Sequence, residues 1–286
     1  MIREYIRLTS PGITLLVILT GLMGMFLAAR GTATPSPSLF LWTLLGLCLA
    51  SAGSSVFNNC YDRDIDVLMN RTCGRPIPSG RINIGRAFLF GAILTLTASL
   101  ILIIFVNILS AFLTILAVFT YAFVYTVLLK RRTTLATEIG GISGALPPVI
   151  GWTSVKGSIE LETLLLFAII YLWQPPHFWS LASRYRDDYK RAGIPTLPVK
   201  VSRDETNLRS LHYVFSLVMV SFLPYITGMC GKLYLYISLI LGISYISLYI
   251  MTFILKRDLS RLLFSYSITY LSLIFISIFV DSMMTS

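Results

Sequence analysis

The stretch IGRAFLFGAILTLTASLILIIFV, Ile84–Val106, decides the fold. Beyond Arg86 it holds no charged side chain. Coiled as an α-helix rising ~1.5 Å per residue, a run of this length crosses the ~30 Å hydrocarbon core of a bilayer. Comparable runs recur on both sides of it, at Thr9–Ala29, Ser38–Asn59, Leu109–Leu129, Leu135–Thr153, Thr163–Ser183, Leu208–Thr227, Leu233–Leu255 and Leu262–Val280. The pattern predicts an all-α polytopic membrane protein with nine transmembrane helices in one bundle. Composition agrees: of 286 residues 56% are apolar and 13% charged, and the mean hydropathy is +0.78. Such a chain has too few polar side chains to cover a water-facing surface. The first run is too long for a signal-peptide core and is expected to stay as an anchor.

A net charge of +10 would suit nucleic acid if the basic residues formed a face on a soluble module, but the sequence contains no such module. The basic residues mark one side of a membrane instead. Of 23 Lys and Arg, all except Arg30, Lys156 and Lys232 fall around Arg3–Arg7, Asp62–Arg86, Lys130–Arg132, Arg184–Arg209 and Lys256–Arg261, which are the N-terminus and alternate connections. The positive-inside rule makes these segments cytoplasmic, with the C-terminus outside. Cys48, Cys60, Cys73 and Cys230 lack paired spacing and predict neither a disulfide framework nor structural zinc. Pro147-Pro148 and Pro175-Pro176 are expected to break or kink their helices, which hydrocarbon tolerates only beside protein or a cavity. They point to a central cavity opening near the cytoplasmic face.

The connections 60–83 and 184–206 are alike. One runs Asp62-Arg63-Asp64-Ile65-Asp66 and then Gly74-Arg75-Pro76-Ile77-Pro78; the other runs Arg186-Asp187-Asp188-Tyr189 and then Gly193-Ile194-Pro195-Thr196-Leu197-Pro198. They suggest a four-helix unit used twice within a single domain, residues 1–286.

Asn58, Asp62 and Asp66 are spaced i, i+4, i+8 where the second run meets its loop. On a helix each step of four turns about 400°, so the three side chains form one polar stripe. Asp64 points the other way, solvated or paired with Arg63 or Arg71. Two carboxylates and an amide without His or Cys make a hard oxygen site, the donor set of Mg²⁺, which fills its remaining positions with water or substrate phosphate oxygens. Arg71 and Arg75, at i, i+4, are placed to grip phosphate by bidentate hydrogen bonds. Asp187 and Asp188 bring a similar mixture of charges with Arg184, Arg186, Lys190 and Arg191. The bland alternative is a solvated loop of paired Asp and Arg. A charged stripe leaving a membrane helix is costly without partners, which favours a diphosphate site.

Asn58-x3-Asp62-x3-Asp66 followed by Met69-x-Arg71-Thr72-x-x-Arg75-Pro76 resembles the signature of UbiA-type intramembrane prenyltransferases, and the likeness covers nearly the whole chain. Trp173-Gln174-Pro175-Pro176-His177-Phe178-Trp179 and Asp188-Tyr189-x-x-Ala192-Gly193-Ile194-Pro195-x-Leu197-Pro198 resemble the haem-farnesylating branch of that superfamily. The resemblance implies transfer of the farnesyl group of farnesyl diphosphate to a vinyl group of protoheme IX, giving haem O and pyrophosphate. Its implied setting is a bacterial cytoplasmic membrane, with haem A synthase or terminal-oxidase assembly factors as partners. It implies Mg²⁺ as the cofactor, held by Asn58, Asp62, Asp66, Asp187 and Asp188. Asp62, Asp66 and Asp188 are then the catalytic carboxylates, and Arg71, Arg75, Lys130 and Lys190 the diphosphate cations. Two departures stand out. Positions four before and after Asp188 are Arg184 and Ala192 rather than a second Asp, and Ser10 precedes Pro11 where a basic residue is usual, leaving Arg7 as the replacement.

His177, between Pro176 and Phe178, reads either as a packed, hydrogen-bonded imidazole or, under the resemblance, as an axial ligand of haem iron. Trp173 and Trp179 are the accompanying candidates for contact with a porphyrin or isoprenyl chain. His212 reads as structural, and Glu138 as a first-turn carboxylate on its helix dipole. Two other readings remain: a UbiA-type enzyme for an aromatic quinone precursor, which would not need His177, and a transporter. The transporter would place charge near the bilayer midplane, whereas here the Asp residues gather at one surface.

Overall fold

The computed structural model describes residues 1–30 and 35–284. Among the described residues its regular elements are all helices, and it divides into two compact units. The first comprises Met1–Ile159 with Asp187–Pro195, and the second Glu160–Arg186 with Thr196–Ser286.

The first unit contains α1 (Pro11–Ala28), α2 (Pro37–Tyr61), α3 (Ile84–Phe105), α4 (Ile108–Leu129) and α5 (Ala136–Lys156). The second contains α6 (Leu161–Arg184), α7 (Arg203–Ile226), α8 (Lys232–Leu255) and α9 (Ser260–Met284). Polar residues at the junctions start these helices. Ser36 accepts a hydrogen bond from the Leu39 amide, Asn83 from the amides of Gly85 and Arg86, Asn107 from Ser110, and Ser202 from Glu205. Ser202 also explains why α7 begins five residues before its apolar run. The polar turn Arg203–Asn207 is helical because it is capped, not because it is apolar. A short helix, Ile2–Leu8, precedes α1; Ser10, at φ 49°, separates the two.

Among the described residues, eight of the nine long helices are apolar enough to cross a membrane. The chain is a multi-span membrane protein. The outer face of α3 carries Phe88, Leu89, Ile93, Leu96, Leu100, Ile103 and Ile104 exposed, an apolar surface suited to lipid. The expected ninth span, α5, is helical but rich in Gly, Pro and Ser, and falls short on hydropathy. Every residue from Ala145 to Ser154 is buried, so it meets protein instead of lipid and needs no apolar exterior. It packs on α1 at backbone distance: a Cβ on Gly24 would overlap the Pro148 carbonyl, and one on Gly151 the Gly21 carbonyl.

Of the break or kink expected at Pro147-Pro148 and Pro175-Pro176, the break does not occur: α5 and α6 continue as helices through both pairs. Each proline removes one donor, but interrupting the helix would strand many more backbone groups in an apolar setting. A departure that the sequence did not announce lies in α4, whose last ten residues, Thr120–Leu129, form a π-helix. Such segments are rare and concentrate at functional sites.

Candidate active site

In the first unit α2 ends at Tyr61 with Asp62 as its cap, and a single turn, Arg63–Asp66, follows. The Asp62 amide donates to Asn58 O at 2.9 Å and the Asp66 amide to Asp62 O at 2.8 Å, so the i, i+4 hydrogen bonding continues and the stripe survives the end of the helix. Asn58, Asp62 and Asp66 are all buried, Asp62 completely.

The cations facing the stripe come from distant parts of the chain. Lys130, directly after the π-helix, pairs with Asp62 Oδ2, and Arg75 Nη1 donates to Asp66 Oδ2 at 2.7 Å. Asn58 Nδ2 donates to Asp62 Oδ2 at 2.9 Å and to Thr126 Oγ1 at 3.1 Å. Thr126 can accept because its own proton goes to Tyr121 O, five residues back, the spacing of a π-helix. Both amide hydrogens of Asn58 are thereby used, and its carbonyl Oδ1 is the remaining polar atom. Burial pushes the Asp66 carboxyl above its ordinary range, against the opposing pull of Arg75.

Asp64 lies on the opposite side, as expected, but its partner is neither Arg63 nor Arg71. Arg131 donates to both its oxygens at 2.7 Å, to Tyr61 O at 2.8 Å, and lies 4.9 Å from the Tyr61 ring centroid. The π-helix delivers Arg131 beside Asp64 as it delivers Lys130 to Asp62, whereas Arg63 turns back to Cys60 O. These hydrogen bonds hold the Asp64 carboxyl below its ordinary range. Arg71 is exposed.

In the second acidic stretch Asp188 is buried and paired with Arg191, while Asp187 and Lys190 are exposed. Arg191 Nε also donates to Leu68 O at 2.9 Å, which fastens this stretch to the loop just beyond Asp66.

Among the described residues no three His, Cys, Asp or Glu side chains converge on one point. The carboxylates are instead neutralised by Lys130, Arg75 and Arg191. A Mg²⁺ site fits nonetheless. Asp62 Oδ1 is buried with no hydrogen-bond partner, an unsatisfied oxygen of the kind a hard cation takes. Mg²⁺ also binds typically through one or two carboxylates plus substrate phosphates, not a full protein cage.

In the second unit His177 lies on α6. Its ring stacks with Trp173 (centroids 4.2 Å apart, planes at 20°) and with Phe264 of α9 (4.8 Å, 26°), and Nδ1 is 2.7 Å from Ser267 Oγ. Trp173 Nε1 donates to Ser267 O at 2.7 Å. Trp179 is buried and meets Tyr213 edge-on, at 5.5 Å and 84°, so it serves the packing of α6 on α7.

The sequence profile of the UbiA prenyltransferase family matches residues 17–276. The chain belongs to this family. Among curated relatives, a protein named protoheme IX farnesyltransferase from Aquifex aeolicus is 48% identical over 281 residues, covering 98% of this chain and 96% of its own length. One of the same name from Marinobacter nauticus is 42% identical, covering 98% and 92%. Solved structures share the fold. One described as concerning digeranylgeranylglyceryl phosphate synthase superposes with TM-score 0.84 at 19% identity over 99% of both chains. A UbiA homologue from Archaeoglobus fulgidus, bound to DMAPP and Mg²⁺, gives 0.68 at 16% identity, covering 97% of this chain and 99% of that one. As a member of the UbiA family the chain is a prenyltransferase.

The sequence did not single out Thr126, Arg131 or Ser267, and offered Arg191 only as one of several cations around Asp187 and Asp188. Arg191 carried a signal, sitting i+3 from Asp188 on a short helix. Thr126 and Arg131 depend on the π-helix, and Ser267 on the pairing of α6 with α9, neither of which has a local sequence signature.

Proposed function

We propose that this chain transfers the farnesyl group of farnesyl diphosphate to a vinyl group of protoheme IX, yielding haem O and pyrophosphate. One observation carries the choice of acceptor: relatives named for that reaction match nearly the whole chain, the Aquifex aeolicus protein at 48% identity over 98% of it. The geometry supports the diphosphate half of the reaction through the unpartnered buried Asp62 Oδ1 and the cations around it.

Asn58, Asp62 and Asp66, with Asp187 and Asp188, are the residues that would hold Mg²⁺. When bound, the metal neutralises diphosphate charge and stabilises the leaving oxygens. Lys130 and Arg75 are counterions to the carboxylates until substrate arrives. They then turn to the diphosphate, where Arg71 and Lys190 join them. Charge grows on the departing oxygens as the allylic C–O bond breaks, so cations aimed there lower the barrier most. The new C–C bond joins farnesyl C1 to the terminal vinyl carbon. Water adds to the neighbouring carbon and gives up a proton, leaving the hydroxyethylfarnesyl side chain. In the second unit His177, stacked with Trp173 and Phe264, offers a flat aromatic surface and an imidazole nitrogen to the haem.

The cytoplasmic membrane of a bacterium is the setting we assign, with the N-terminus and both acidic stretches inside, supported by the basic residues gathered there. The product's consumers are haem A synthase or terminal-oxidase assembly factors. Purified protein supplied with farnesyl diphosphate, Mg²⁺ and an equimolar mixture of haem and 4-hydroxybenzoate should yield only farnesylated haem by mass spectrometry. Prenylated benzoate alone would overturn the acceptor. Single cysteines at Ser79 and Ser202 in a cysteine-free background should label only from inside, and external labelling of either would reverse the orientation.

A further inference from the structure

His177 and Trp173 on α6 both hydrogen-bond to one residue of α9, Ser267. We propose that Ser267 is a positioning residue that fixes His177 as the Nδ1–H tautomer and leaves the Nε2 lone pair as the only acceptor the imidazole presents.

A serine hydroxyl has one hydrogen to give. Ser267 Oγ lies 2.6 Å from Phe264 O, one turn back on its own helix, a separation that two oxygens sustain only with a proton between them. That proton is therefore committed to Phe264 O. Ser267 Oγ also lies 2.7 Å from His177 Nδ1, so the ring must supply the hydrogen in that bond. A neutral imidazole carries one N–H; with Nδ1 protonated, Nε2 is bare. Rotating the ring would break the bond to Ser267, while stacking with Trp173 and Phe264 keeps the ring plane fixed. Ser267 holds Trp173 as well, since its backbone carbonyl accepts the indole N–H at 2.7 Å. One residue thus orients both the ring and its stacking partner.

The identity of the partner also matters chemically. An imidazole that binds metal usually donates its other N–H to a group that fixes its tautomer, and a carboxylate in that place raises its basicity. A neutral hydroxyl orients without adding charge, so the ligand is correctly aimed but weakly donating. That suits a haem that must leave as product. The functional half of this inference rests on the haem reading above; the tautomer does not.

The test separates the two halves. The chain has only two histidines, so nitrogen-15 NMR of imidazole-labelled protein in detergent, assigned with His212→Gln, reads His177 directly. Wild type and Ser267→Thr should show a protonated Nδ1 and a bare Nε2, and Ser267→Ala a mixture of tautomers. A protonated Nε2 in wild type, or an unchanged spectrum in Ser267→Ala, would overturn the proposal. Haem titration then reads the consequence: Ser267→Ala should bind haem about tenfold more weakly, as expected when an outer partner of a ligand is lost, with Ser267→Thr restoring affinity. Equal affinity in Ser267→Ala would overturn the positioning role. If instead His177→Ala leaves the haem spectrum untouched while the wild-type tautomer is as assigned, haem ligation by this residue is wrong and the tautomer stands.

Discussion

The two units differ in how they bury polarity around their candidate ligand sites. In the first, full charges are buried in opposed pairs, Asp62 with Lys130 and Asp66 with Arg75, at the end of α2. In the second, the polar groups around His177 are neutral, and hydroxyls such as Ser210 and Ser267 spend their protons on carbonyls of their own helices. Buried charge costs several kcal/mol per ion unless it is paired, so the first arrangement persists only with partners or for a function. Neutral hydrogen-bonded groups cost far less to bury. Under the proposed function the first unit exchanges one set of counterions for another, and the second holds a flat ligand still.

That contrast breaks most severely at Asp62. Replacing it with Ala should lower prenyl transfer by more than about 10³-fold, as should chelating divalent cations from the wild type, because the group that meets both metal and diphosphate is removed. Haem binding should be unaffected. Normal turnover of Asp62→Ala, or full activity in excess chelator, would dissolve the distinction between the units. Lys130→Ala comes next. Steady-state assays should show kcat down by about 10²-fold, in line with loss of one donor to developing charge, and Lys130→Arg should recover part of it. An unchanged kcat would confine Lys130 to neutralising Asp62 in the empty protein. His177→Ala should raise the KM for haem by about tenfold and leave farnesyl diphosphate binding intact; a matching loss for farnesyl diphosphate would contradict the separation. The smallest effect is expected at Asp64, which pairs with Arg131 in solvent. Asp64→Asn should cost at most about 1 kcal/mol of stability, because water screens a pair this exposed. Since Arg131 lowers the Asp64 pKa, that contribution is present above the ordinary carboxylate range of about 4 and lost as pH falls below it. Thermal melts of wild type and variant should therefore converge in acid.

Much of this was written in local sequence. The apolar runs placed the long helices within a few residues, since only a helix satisfies its own backbone in lipid. The i, i+4, i+8 spacing gave the stripe of Asn58, Asp62 and Asp66. What escaped was set by contacts between distant segments. The π-helix at Thr120–Leu129 leaves no compositional mark, yet it decides that Lys130 meets Asp62 and Arg131 meets Asp64. α5 lacks the hydropathy of a span because it is enclosed by its neighbours. The proline pairs, expected to break or kink their helices, lie inside helices that continue through them.

The most direct test is a two-by-two binding measurement on purified protein in nanodiscs, with Asp62→Ala and His177→Ala each titrated with farnesyl diphosphate in Mg²⁺ and, separately, with haem. The expected result is a crossed pattern. Asp62→Ala loses Mg²⁺-dependent farnesyl diphosphate binding and keeps haem, while His177→Ala binds haem weakly with an altered absorption spectrum and keeps farnesyl diphosphate. If either variant loses both ligands while remaining folded, or if farnesyl diphosphate binds wild type equally well without metal, the proposed division of labour is contradicted.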